Sequence, residues 1–273
     1  MYNTNPEYLT LKKLTNILGI QGGLILDIGA HDGISGSCAY PFWKDETDKW
    51  KGIAVEIDPT RCEIMKSSYA GLTVAVENMK VTPENIVELL DGYDIDEGIT
   101  IMNIDIDSYD LEVADTMLTA GYRPGIITIE VNPIIPPPIY FEVLYHPEQH
   151  HRANNFFGCS ITAAIEKVIP HGYVLYSYEI GNAFFIREDY ARNKIKNISA
   201  DEAYDMGYRK MSDWKDHFWY HEPLREWLDM DPKVVIEELR KHFTDIINGE
   251  GPHVNPSWTG KYWWEPKYIL EMR

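Results

Sequence analysis

From residue 23 to 186, short apolar runs alternate with amphipathic or turn-rich segments, the pattern of a sheet covered by helices. Seven runs read as strands: 24–28 (LILDI), 52–57 (GIAVEI), 72–77 (LTVAVE), 99–105 (ITIMNID), 126–131 (IITIEV), 173–178 (YVLYSY) and 183–186 (AFFI). Helices are predicted from the Thr82-Pro83 start through Leu90, and over LEVADTMLTAG up to Gly121. Only EIGN separates the last two strands, too little chain for a crossover helix, so they must pair antiparallel. The expected fold is therefore α/β, a seven-stranded, mostly parallel sheet with an antiparallel last strand.

After about residue 190 the pattern turns helical. Ser199 and Glu202 have capping-box spacing, and Asp231-Pro232 opens a helix with Val235, Leu239, Phe243 and Ile246 on one stripe. Six of the eight tryptophans lie between Trp214 and Trp264, so the tail reads as an aromatic-rich helical cap. The organisation expected is an N-terminal helical segment (1–22), an α/β domain (23–190) and the cap (191–273).

Charge narrows the partners. A formal net charge of −18 argues against nucleic acid and anionic membrane surfaces, which reward clustered Lys and Arg, and favours a small molecule or a cation. Cys38, Cys62 and Cys159 are odd in number and contain no C-x-x-C pair, which fits a reducing cytoplasm better than a disulfide framework or a zinc site. No apolar run approaches the roughly 20 residues that span a bilayer, and the N-terminus lacks a signal-peptide core.

The first strand runs into a tight turn, DIGAHDGISGS, where open α/β sheets bind ligands. A dinucleotide fingerprint would place a second glycine where His31 stands, so phosphate is a poor guest. A ligand with a cationic end suits Asp27 and Asp32 better, and S-adenosylmethionine carries both an ammonium and a sulfonium. Glu56, ending the second strand, then takes the ribose hydroxyls.

In order along the chain, DIGAHDGISGS, WKGIAVEIDP, NIDIDSYD and ITIEV resemble the FkbM-type class I methyltransferases over about residues 20 to 190. The resemblance implies a Rossmann-like methyltransferase fold, S-adenosylmethionine as cofactor, and cofactor contacts from Asp27, Gly29, His31, Gly33 and Glu56. Asp32, Ile57, Asn78 and Asp105 complete the expected cofactor set. His31 stands where that family has Asn, and Asp107-Ser108 where it has Glu-Gly. The activity implied is O-methylation of a sugar, glycan or small natural product, with a nicotinamide-dependent oxidoreductase or a non-catalytic binding module as rivals on the same sheet.

Three aspartates fall within residues 105–110, directly after the most apolar strand. Carboxylates this close repel unless a cation or donors compensate. Asp105, Asp107 and Asp110, with Glu130 and Asn132 from the neighbouring strand, either hold a hard ion such as Mg²⁺ or act without metal, one as the base that takes the acceptor's proton. One of Asp107 and Ser108 is also a candidate N-cap for the next helix. The segment 132–157 shows no clear period, and His146, His150 and His151 on it are candidate bases.

Overall fold

The computed structural model describes residues 5–93, 95, 98–150, 154–250 and 261–273. Nine strands are present among them: β1 (Gly23–Ile28), β2 (Trp50–Glu56), β3 (Val74–Asn78), β4 (Ile101–Ile104), β5 (Ile126–Glu130), β6 (Ile139–Val143), β7 (Tyr173–Glu179), β8 (Asn182–Arg187) and β9 (Tyr268–Met272). The helices are α1 (Pro6–Leu18), α2 (Tyr40–Asp45), α3 (Pro59–Ser68), α4 (Ile86–Asp91), α5 (Asp110–Thr119), α6 (Ile161–Val168), α7 (Glu188–Ala191), α8 (Ala200–Tyr204), α9 (Trp214–Phe218) and α10 (Pro232–Asn248).

Seven strands form one sheet in the order β3-β2-β1-β4-β5-β8-β7. All neighbours from β3 to β5 are parallel, and β8 alone runs against them, paired antiparallel with both β5 and β7. This is the sheet read from the sequence, with the antiparallel strand where the short EIGN connection put it. Parallel strands covered on both faces need apolar residues on both. Leu26, Ile28, Met102 and Ile104 accordingly pack under α4, α5 and α6, while Ile25, Ala54, Ile101 and Ile126 pack under α1, α2 and α3.

Two expectations are corrected. The helix predicted from Thr82 begins only at Ile86, because the Asn85 side chain accepts the Thr82 amide (2.8 Å) and closes a turn over 82–85. The segment 132–157 is not without regular structure: IYFEV is β6, and it pairs antiparallel with β9, a strand in the tail that was expected to be helical. β6 shows no alternation, since every residue of it is buried. A short, fully buried strand carries no period to read.

The tail is anchored on that pair. Phe141 of β6 stacks on Phe243 of α10 (4.9 Å between centroids) and meets Phe156 edge-on, forming a third core with Val235, Leu239, Trp227, Tyr262 and Trp264. A second attachment lies on the far edge of the sheet. There a π-helical turn at Asp205–Arg209 brings the Gly207 backbone so close to β7 that a Cβ would fall 2.0 Å from the Tyr178 carbonyl oxygen. Phe141→Ala is expected to cost about 3–5 kcal/mol, the range for truncating a buried aromatic, as urea unfolding would measure.

Candidate functional site

Chain order reverses between β1 and β4, and a cleft of about 450 Å³ opens at the carboxyl ends of the strands there. Its walls come from Gly29 and His31 after β1, Glu56 and Ile57 after β2, Met79 to Val81 after β3, Asp105 to Tyr109 after β4, and Gln149 and His150 on the loop after β6.

Glycine at position 29 is compelled by contact. Its φ of 85° is left-handed, and a Cβ there would lie 1.7 Å from the Asp105 carbonyl oxygen. The turn after β1 thus rests on the end of β4, and His31 (φ 54°) swings its amide to Glu56. The Glu56 carboxylate is 5% exposed and accepts the amides of His31 and Asp58, both at 2.9 Å, with the Arg61 guanidinium 3.9 Å away. The Glu56 carboxylate is in this way held at the cleft wall by two backbone donors.

Four residues expected to touch a cofactor stand outside the cleft's lining. Asp27 is buried beneath the turn, accepting from the Asn103 amide (2.9 Å) and from Ser37 Oγ (3.5 Å), and burial raises its pKa to about 6. Asp32 is opposed by burial, but it accepts the Ile34 and Ser35 amides, which hold its carboxyl below the usual range. Gly33 packs on Tyr69, whose hydroxyl donates to the Gly33 carbonyl, and Asn78 donates to the carbonyls of Glu56 and Ile57. None of the four lines the cleft. Gly29, His31, Glu56, Ile57 and Asp105 do.

The aspartate cluster is also rearranged. Asp105, Asp110 and Glu130 each bring a carboxylate oxygen within 4.8 Å of the others. Asp107, expected as a ligand, is not of this group: the chain turns there in a left-handed conformation (φ 53°), and Asp107 lines the cleft. Asp110, at the start of α5, points back and accepts the amides of Ile106 (2.7 Å) and Ser108 (2.9 Å). The N-cap of α5 is Tyr109, without a side-chain cap bond, rather than Asp107 or Ser108. Burial, then the neighbouring carboxylates, pushes Asp105 and Glu130 well up, and burial raises Asp110 to about 7. Glu7 on α1 adds a further acid, raised to about 7 by burial and hydrogen-bonded by Asn182. Asn132 takes no part, since its amide is spent on the carbonyls of Asn155 and Phe157.

Of the three histidines, His150 lines the cleft, with a ring nitrogen 2.7 Å from the Glu148 carbonyl. His146 lies behind it, stacked on Trp264, and does not line the cleft; His151 falls outside the described residues. Trp264 also meets His150 (5.6 Å), so the tail reaches the rim of the cleft. Sequence reasoning missed Arg61, Met79, Lys80, Val81, Tyr109 and Gln149. The signal for Met79 to Val81 was present, since they directly follow the third strand. Gln149 arrives only because Lys80 Nζ donates to its carbonyl (3.2 Å) and to that of Pro147.

No protein-family model matches the sequence, and no curated protein matches it either. Solved structures of low identity do match. They include an S-adenosylmethionine-dependent methyltransferase from Clostridium acetobutylicum (9% identity, 68% of this chain and 92% of that one, TM-score 0.42) and a putative one from Listeria monocytogenes (9%, 66% and 96%, 0.43). A third is the SAM-bound amino pentose methyltransferase CalS10 from Micromonospora echinaspora (10%, 67% and 91%, 0.41). At this similarity, chemistry has to be read from the cleft itself. The strand order and the single antiparallel strand fix the architecture. The fold is a Rossmann-like α/β sheet, seven-stranded and mostly parallel with one antiparallel strand, as the sequence predicts.

Asp27 gives a stability signature. A carboxyl with a folded pKa raised from 3.8 to about 6 contributes stability that is fully present below about pH 4 and lost as pH rises through about 6. Asp27→Asn retains an acceptor for Asn103, so by about pH 8 it should be more stable than the parent by roughly 3 kcal/mol, with no advantage near pH 4. Urea unfolding at both pH values checks the sign.

Proposed function

We propose that this chain is an S-adenosylmethionine-dependent O-methyltransferase of the FkbM type, acting on a hydroxyl of a sugar, glycan or small natural product. The observation that carries the reading is Glu56. It is a buried carboxylate at the end of β2, held by two backbone amides beside the left-handed turn of β1, where a ribose needs an acceptor. Ile57, Met79, Val81 and Tyr109 continue the cleft beyond it as an apolar slot for a flat base. On the other side of the turn, Asp105 lines the cleft and suits the ammonium of the methionyl end. A nicotinamide cofactor is disfavoured because the His31 side chain occupies the place where a pyrophosphate requires bare backbone.

The reaction is an in-line displacement. The acceptor oxygen attacks the sulfonium methyl carbon, the new C–O bond forms as the C–S bond breaks, the electron pair returns to sulfur, and S-adenosylhomocysteine leaves as a neutral thioether. The acceptor's proton passes to a base. Asp105 and Asp107 stand nearest the strand end, and His150 faces the cleft from the opposite side. We assign residues 23–190 to the catalytic unit and 191–273 to a cap that reaches the rim through Trp264. Cys38, Cys62 and Cys159 are all free and buried, which favours a cytoplasmic setting, and no described helix is long and apolar enough to cross a membrane.

Calorimetric titration with S-adenosylhomocysteine tests the cofactor. Glu56→Gln should weaken binding by about 10- to 100-fold, the equivalent of a charged hydrogen bond worth about 1.5–3 kcal/mol, and unchanged affinity would remove the assignment. His150→Ala should lower turnover by about 100-fold or more if His150 is the base, while cofactor affinity stays within about twofold. Equal turnover would return that role to the aspartates.

A further inference from the structure

We infer that Asp105, Asp110, Glu130 and Asn182 form a binding site for a hard divalent cation at the edge of the cleft. The ion site stands on the cluster alone; its part in catalysis rests on the methyl-transfer reading. Across the sheet, β4 and β5 run in register to Ile104 and Ile129, so Asp105 and Glu130 follow side by side at the strand ends, and Glu130 pairs with Asn182 of β8. Three adjacent strands therefore deliver oxygen-bearing side chains to one row, and Asp110 enters it from the start of α5.

Spacing fits an ion. The three carboxylate oxygens lie within 4.8 Å of one another. That is within the largest separation, about 4.2–4.8 Å, that two oxygens bound to one Mg²⁺ or Ca²⁺ can have at bond lengths of about 2.1–2.4 Å. Donor chemistry fits as well, since carboxylate and amide oxygens suit Mg²⁺, Mn²⁺ and Ca²⁺, and no described sulfur or imidazole belongs to the set.

An independent observation comes from Asn182, which is 4% exposed. Its Nδ2 donates to Glu7 at 2.8 Å, which fixes the amide, and its Oδ1 is then buried with no donor among the described residues. Glu130 Oε2, on its register partner, is buried in the same condition. Two acceptors are thus orphaned at one place, and a cation is the ligand that satisfies both. Asp110 already accepts two amides, yet each carboxylate oxygen retains a lone pair for a metal. The ion would stand next to Asp105, which lines the cleft, where it would lower the pKa of an acceptor hydroxyl and so favour substrates that present oxygen atoms to a metal.

The test uses the full chain freed of metal, titrated with Mn²⁺ and followed by electron paramagnetic resonance, with Mg²⁺ and Ca²⁺ as competitors. The expected result is one saturable site per chain, displaced by at least one competitor, and weakened at least about tenfold in the near-isosteric Glu130→Gln and in Asp105→Asn. S-adenosylhomocysteine affinity measured on the folded Glu130→Gln variant should change by less than about twofold, which separates the ion site from the cofactor site. Absence of saturable binding in the parent chain, or Mn²⁺ affinity unchanged in both variants, overturns the proposal and leaves protons as the cluster's compensation. If the ion binds but the cofactor does not, the site stands and its catalytic role falls.

Discussion

Everything at the cleft depends on the contact between the turn after β1 and the end of β4. Gly29 lies against the Asp105 carbonyl at a distance that excludes any Cβ. Because the turn rests there, the next amides are forced into the left-handed path that points His31 N–H at Glu56. Glu56 in turn accepts Asp58, the cap of α3, so one steric constraint passes from β4 through β1 to β2 and the helix beyond. A side chain at position 29 would separate these elements and with them the two walls of the cleft.

Negative charge is the second theme, and it is distributed rather than concentrated. Glu56 is stabilised by backbone donors and a nearby guanidinium, whereas Asp27, Asp105, Asp110, Glu130 and Glu7 are raised by burial and by one another. The two sets differ physically: one carboxylate fixed by amide donors, and a group of buried acids whose mutual repulsion only protons, donors or a cation can relieve.

The tail has a structural cause for sitting where it does. β6 has an unpaired edge that the seven-stranded sheet does not cover, and β9 from the chain's end pairs with it. Covering that edge removes a hazard of exposed strand pairing and carries α10 and Trp264 to the loop bearing His146 and His150. The same loop is tied from the other side by Lys80.

What the sequence determined by itself was whatever local pattern encodes. Apolar runs gave the seven strands of the main sheet, a four-residue connection gave the antiparallel pair, and Gly29 and Glu56 at strand ends marked the cleft. Tertiary structure decided what depends on partners distant in the chain. β6, short and fully buried, has no periodicity to read, and β9 is only five residues long; they become a pair only when about 125 residues of chain bring them together. Asp27 and Asn78 were expected at the cofactor; side-chain direction at a strand end depends on what packs above it, and here Asp27 lies beneath the turn after β1 while Asn78 ties the end of β2. Of the three aspartates expected to act together, Asp105 and Asp110 meet and Asp107 does not, because a left-handed residue turns the chain at Asp107. Spacing in sequence cannot show such a turn; it is fixed by the amides that Asp110 accepts once α5 has docked.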